Sequence, residues 1–262
     1  MKKLAIFLPF LILIGCSSSN ETFKKNPVDQ FIIDMSDVND FTILLQDMDA
    51  EEHLFTADIF RHKYKIITMG ADSIPVSKET DWYDVSPSFF QLHSGDIGME
   101  IASKVNGKVS KQVSPPGYSG YVGNSQYGEW KTNPNTGTSF WEFYGRYAMM
   151  RSLFNMAYYG PIYRSSYTDY RRYSSSGRNY YGGSSGSPRY GTYSSGVKKS
   201  NPTFANRMSK SSSFRNSVNK SVSRSPAKYA AGSRSTSTTK STNSRYSSGS
   251  SSRSRSSSRG GK

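Results

Sequence analysis

The sequence predicts an α+β fold: a small antiparallel sheet with one C-terminal amphipathic helix, followed by a long disordered basic tail rich in Ser, Arg, Gly and Tyr. Three observations carry this. Asn106-Gly107, flanked by apolar runs, is the strongest short hairpin signal, because both turn positions tolerate positive φ. Ser139 opens a capping box, "SFWE", ahead of apolar residues at helical spacing. Beyond Arg164 the large aliphatic residues nearly vanish and Ser supplies 33 of the last 98 positions, a composition that cannot build its own core.

The N-terminus comes first in chain order. Lys2 and Lys3 precede an uncharged apolar run over 4–14 that ends in Gly15, the order of a signal peptide over residues 1–15. The run is too short to span a bilayer, which takes about 20 apolar residues. Pro9 also disfavours a long helix there. Leu13, Ile14, Gly15 and Cys16 resemble the lipobox of bacterial lipoproteins, and the match covers the first 16 residues. The resemblance implies that the thiol of Cys16 carries diacylglycerol and becomes the new N-terminus, with residues 16–26 as a lipidated tether. It also implies palmitate-class acyl chains that hold the protein to a membrane. One chain, at about 0.8 kcal/mol per buried CH₂, binds marginally, so several make attachment effectively permanent. Since Ser17 is not acidic, the resemblance further implies an outer-membrane anchor facing the periplasm if the cell is diderm. Cys16 is the only cysteine, so no disulfide supports the fold. An uncleaved anchor or a buried thiol is the plainer alternative for it.

Residues 27–164 suffice for one α+β domain. The stretches 41–46 and 64–68 read as strands, and 99–105 with 108–113 form the hairpin around Asn106-Gly107. Ser86-Pro87 ahead of "SFFQLH" reads as an N-cap and a short helix. The helix opened by Ser139 sets Phe140, Phe143, Tyr144, Tyr147, Met150, Phe154 and Tyr158 on one stripe and stops at Gly160-Pro161. Its charges, Glu142, Arg146 and Arg151, argue against a membrane span, and packing on the sheet is expected over a partner or membrane-surface role. Between hairpin and helix, "SPPGYSGYVGNSQYGEW" offers Tyr118, Tyr121, Tyr127 and Trp130 either as a ligand platform or as pins holding a long loop to its own domain. The stretches "DWYDVSPSFF" and "PPGYSGYVGN" are also similar to bacterial lipoproteins without an assigned activity, so this resemblance implies no reaction.

Charge divides the chain. Residues 165–262 hold 19 Lys and Arg against one acid, Asp169, a net +18, whereas residues 17–164 hold 13 basic and 18 acidic residues, a net −5. Without apolar surface to offset about 1–2 kcal/mol of backbone entropy per residue, residues 165–262 are expected to be a disordered cationic tail. Its first part interleaves tyrosine with Arg171, Arg172, Arg178 and Arg189, candidate contacts to anions, and its end reads "SSSRSRSSSRGGK".

Reactive constellations are scarce. Three histidines and one cysteine without zinc-ligand spacing make a metal unexpected. Asp47, Asp49 and Glu51 alternate like a calcium loop, but Glu52 replaces the glycine of the sharp turn and no glutamate closes the twelfth position. "GYSGY" misses nucleophile-elbow spacing, and Asp81 with Asp84, or His93 with Asp96, form acid/base pairs only on paper. Neither catalysis nor a cofactor is expected. The leading expectation is a structural or binding lipoprotein of the cell envelope whose cationic tail meets anionic polymers or lipid headgroups. An accessory subunit docked on a membrane protein through the aromatic loop is the alternative. Nucleic acid would suit the Arg, Gly and Tyr segment, but export argues against that partner.

Overall fold

The computed structural model describes residues 26–51, 53, 58–70, 72–183, 187–200 and 203–224. The leader, the lipobox with Cys16, nearly all of the tether and residues 225–262 lie outside the described residues. The first helix, α1 (Pro27–Asp34), starts at Asn26, whose side chain accepts a hydrogen bond from the Val28 N–H, with Pro27 at the first helical position. Strands β1 (Phe41–Glu51), β2 (Ile59–Met69), β3 (Pro75–Asp84), β4 (Glu100–Val105) and β5 (Lys108–Ser110) form one antiparallel sheet in the order β3-β2-β1-β4-β5. Both expected strands, the expected hairpin and the α+β class are therefore present. Asn106 and Gly107 turn the β4–β5 hairpin at φ 50° and 75°. β1 is central and covered on both faces, which is why Phe41, Ile43, Leu44 and Leu45 are all buried without alternation.

β2 alternates. Phe60, His62 and Tyr64 point to one face and Lys63 and Lys65 to the other. Phe31 of α1 meets Tyr64 edge-on at 5.5 Å, and Phe90 of α2 (Pro87–Leu92) sits 4.9 Å from Phe60, so these helices cover the first face. The Ser86 hydroxyl caps α2 by accepting from the Phe89 N–H at 3.2 Å, as the sequence predicts. β3 is an exposed edge strand. Its pairing slips opposite Tyr64, whose N–H donates to Thr80 Oγ1 at 3.0 Å, a bulge in the outermost strand.

The long helix expected from Ser139 does not form. Instead β6 (Gly128–Thr132) pairs antiparallel with β7 (Ser139–Phe143) in a second, two-stranded sheet. The aromatics that suggest a helical stripe are equally good strand formers, and cross-strand contacts decide the matter. Trp130 meets Trp141 edge-on at 5.1 Å, and Glu142 pairs with Lys131 rather than capping a helix. Past Tyr144 the chain continues as a 3-10 turn (Gly145–Tyr147), the single-turn α3 (Met150–Leu153) and another 3-10 turn (Met156–Tyr158), broken by Asn155 in a left-handed conformation. Tyr147, Met150 and Phe154 are still buried, so the helical spacing survives in pieces.

The boundary expected at residue 164 is also displaced. α4 (Arg164–Ser175), α5 (Ser195–Ser200), α6 (Thr203–Lys210) and α7 (Ser212–Arg224) follow it, and Tyr170, Tyr180, Tyr190, Val197, Phe204, Met208 and Val218 are buried in the same core as the sheet. Phe204 of α6 stacks edge-on against Phe90 of α2 at 5.5 Å. A segment too polar to build a core of its own is ordered by inserting widely spaced apolar anchors into an existing one. Composition averages such anchors away.

Candidate functional site

The glycine-rich loop and α4 enclose a cleft of about 320 Å³ lined by Tyr118, Ser119, Tyr167, Tyr170, Arg171, Ser174 and Ser175. The loop reaches its position through close backbone approaches. Gly123 stands at φ 79° against the Tyr167 ring, where a methyl group would collide. Gly117, at φ 81°, donates its N–H to Glu100 Oε1. Tyr118 lies at the bottom, its hydroxyl 2.8 Å from that of Tyr190 and its ring edge-on to Tyr170 at 5.2 Å. The Tyr170 hydroxyl is 3.2 Å from Ser114 Oγ, which holds α4 to the loop.

Beneath this loop Glu100 is buried. The Ser119 hydroxyl and N–H lie close enough to favour its charged form, but Oε2 makes no full hydrogen bond among the described residues, and desolvation dominates, pushing the carboxyl up to about 8. Desolvation likewise raises the Tyr118 and Tyr170 hydroxyls, so both remain neutral donors. The cleft therefore presents neutral phenols, serine hydroxyls and one exposed guanidinium, Arg171, beside the Tyr167 hydroxyl. Such a set can stack on and hydrogen-bond a sugar-like ring while pairing with an anionic substituent.

Of the residues singled out by sequence, the cleft brings together Tyr118 and Arg171. Tyr121 and Tyr127 are instead buried and stacked at 5.0 Å, Tyr127 on Tyr147 and Tyr121 on Phe154. Trp130 is half-buried between Trp141 and Tyr167, under the Arg164 guanidinium at 5.9 Å. These three pin the loop to its domain. Arg172 is exposed and paired with Asp169 at 2.8 Å, and Arg178 lies over the Tyr173 ring at 4.5 Å. Arg189 donates to the carbonyl oxygens of Tyr159 and Pro161, tying the C-terminal segment to the body. Tyr167, Tyr170 and Ser174 were not singled out, although Tyr163, Tyr167, Tyr170 and Tyr173 recur every three or four residues.

The paper pairings resolve structurally. His93 Nδ1 is 2.8 Å from Asp96 Oδ2, and Asp96 Oδ1 accepts from the Tyr181 hydroxyl at 2.7 Å. Both His93 and Asp96 are buried, and through Tyr181 the pair joins the end of α2 to the segment after α4. Asp49 and Glu51 lie on β1 and pair with Arg61, as does Asp84 at 3.3 Å. No cluster suited to a metal ion occurs among the described residues, and none of their helices is long and apolar enough to cross a membrane.

α6 turns Phe204, Ala205 and Met208 inward, while Lys199, Arg207, Lys210, Arg215 and Lys220 of α5 to α7 are exposed. No protein-family model, curated protein or solved structure matches the chain.

Proposed function

We propose that this protein is a lipid-anchored component of the cell envelope that binds anionic envelope polymers or lipid headgroups through its cationic C-terminal region, with the Tyr118–Arg171 cleft as the more selective contact. The observation that carries the reading is the charge division, 19 basic residues against one acid beyond Arg164, on a chain that begins with a lipobox-like stretch. Each cation near an anionic surface contributes about 1 kcal/mol, attenuated over a Debye length of about 8 Å, so dispersed charges bind collectively. Residues 225–262 supply eight of those basic residues and no acid.

Two measurements test the two halves. Mass spectrometry of the mature N-terminus is expected to find Cys16 acylated, and an intact Met1 with a free thiol would remove the anchor. For the tail, chains carrying Cys16→Ser, full-length or ended after Arg224, are sedimented with envelope fractions and with purified anionic polymer. Binding is expected to weaken steeply with salt and to weaken again on truncation. Retention indifferent to both would defeat the electrostatic reading. Retention by intact envelope without any by polymer or lipid would favour an accessory subunit of a membrane complex instead.

A further inference from the structure

The face of the main sheet opposite α1 and α2 carries a second cleft, of about 390 Å³. Its floor is apolar, with Leu44, Ile97, Phe154 and Val197 all buried. Its rim is polar: Gln46 beside the β1 bulge, Lys63 and Lys65 of β2, and Glu79 of β3. The register sets Lys65 directly between Leu44 and Glu79 on the neighbouring strands. Asn155, the left-handed residue at φ 52°, adds a side-chain amide to the lining.

Two groups in this cleft are left short of partners. The Lys65 side chain is only 15% exposed, and Glu79 Oε1, its ion-pair partner, stands at 3.9 Å, beyond hydrogen-bond reach. Glu79 itself is engaged elsewhere. The Gln46 amide lies against its carboxylate and Lys63 Nζ donates to it at 3.1 Å, which together hold that carboxyl below its ordinary range. Gln46 Oε1 is buried and has no donor among the described residues. A lysine with a largely buried stem and no hydrogen-bonded anion attracts a negative group, and a buried carbonyl without a donor attracts an N–H or O–H.

We propose that this cleft binds the C-terminal residue of a peptide, its carboxylate against Lys65, its N–H on Gln46 Oε1 and a small side chain on the Leu44, Ile97 and Val197 floor. A C-terminal residue carries an anion, a donor and an apolar branch on one carbon, which is the set the cleft lacks. A peptide's amino terminus would bring a second cation to Lys65, and inorganic phosphate has no apolar branch for the floor. The site does not depend on the envelope reading, since any free C-terminus meets its requirements.

The test is calorimetric titration of the full-length chain with N-acetyl-Ala-Ala as the free acid and as the C-terminal amide, in the L,L and D,D series. The acid is expected to bind about tenfold more tightly than the amide, the worth of one charge-assisted hydrogen bond. Preference for L,L points to protein C-termini and preference for D,D to peptidoglycan stem peptides; either supports the site. Lys65→Met is expected to remove that advantage, and Gln46→Met, which keeps both lysines, is expected to weaken acid and amide alike while leaving the advantage, a second variant should the first fail to fold. Equal binding of acid and amide, binding of neither, an acid preference that survives in a folded Lys65→Met chain, or undiminished affinity for the acid in a folded Gln46→Met chain would overturn the proposal.

Discussion

Ended after Arg164, the chain is expected to lose its cooperative thermal transition and its near-ultraviolet circular dichroism, whereas a chain ended after Arg224 keeps both. Tyr170, Tyr180, Tyr190, Val197, Phe204 and Met208 lie beyond the first cut, and all are buried. Deleting one large core side chain costs about 2–5 kcal/mol. A whole domain is stable by only about 5–15 kcal/mol, so the combined loss exceeds what the fold can tolerate. The groups left behind suffer as well. Phe90 loses its edge-on contact with Phe204, Tyr118 loses the hydroxyl of Tyr190, and the buried Asp96 carboxylate loses the donor on Tyr181. An unaltered melting curve in the shorter chain would show that residues past Arg164 contribute nothing to the core.

Glu100→Gln is expected to stabilise the fold at neutral and alkaline pH. In the unfolded chain this carboxyl ionises near its ordinary 4.5, but in the fold burial moves ionisation up to about 8. Between those values the folded state holds the extra proton, so its contribution to stability is complete below 4.5 and is lost as pH rises through 8. Glutamine keeps an acceptor for the Gly117 N–H without a charge to desolvate. At about 1.4 kcal/mol per pH unit, the variant's advantage grows to about 3 kcal/mol at pH 7 and vanishes near the acid limit. His62 acts on the other flank. Desolvation, helped by neighbouring His93, holds it well below its ordinary 6.5, so the folded state binds fewer protons and stability declines as pH falls below that value. Melting temperatures of both chains across this range check the sign. Parallel curves for parent and variant would mean that Glu100 does not titrate differently in the fold.

Local signals were readable in the sequence: Asn106-Gly107 makes its hairpin, Ser86 caps its helix, and the run from Phe41 is the central strand. Each depends on a few adjacent residues. Ser139 misled because its helical pattern and a strand pattern share the same aromatics, and only the contact of Trp141 with Trp130, eleven residues earlier, separates them. The order past residue 164 was hidden for a different reason: one tyrosine or valine among serines and arginines carries almost no compositional weight yet fills a complete hole in the core. The first cleft inherits both problems, since Tyr118 and Arg171 were visible singly while their meeting required α4 to exist. The second cleft was invisible, because its lysines sit on a strand whose partners on either side cannot be assigned without the register.

The bulge opposite Tyr64 has a bearing on crowding. An outermost strand of ten residues is ordinarily a template on which further copies can extend a sheet. Here Thr80 takes the hydrogen bond from Tyr64, and Lys78, Glu79 and Asp81 surround the kink, so a neighbour cannot zip along the full rim. Crowded copies of the chain would meet at this rim without a continuous strand on which to extend a sheet.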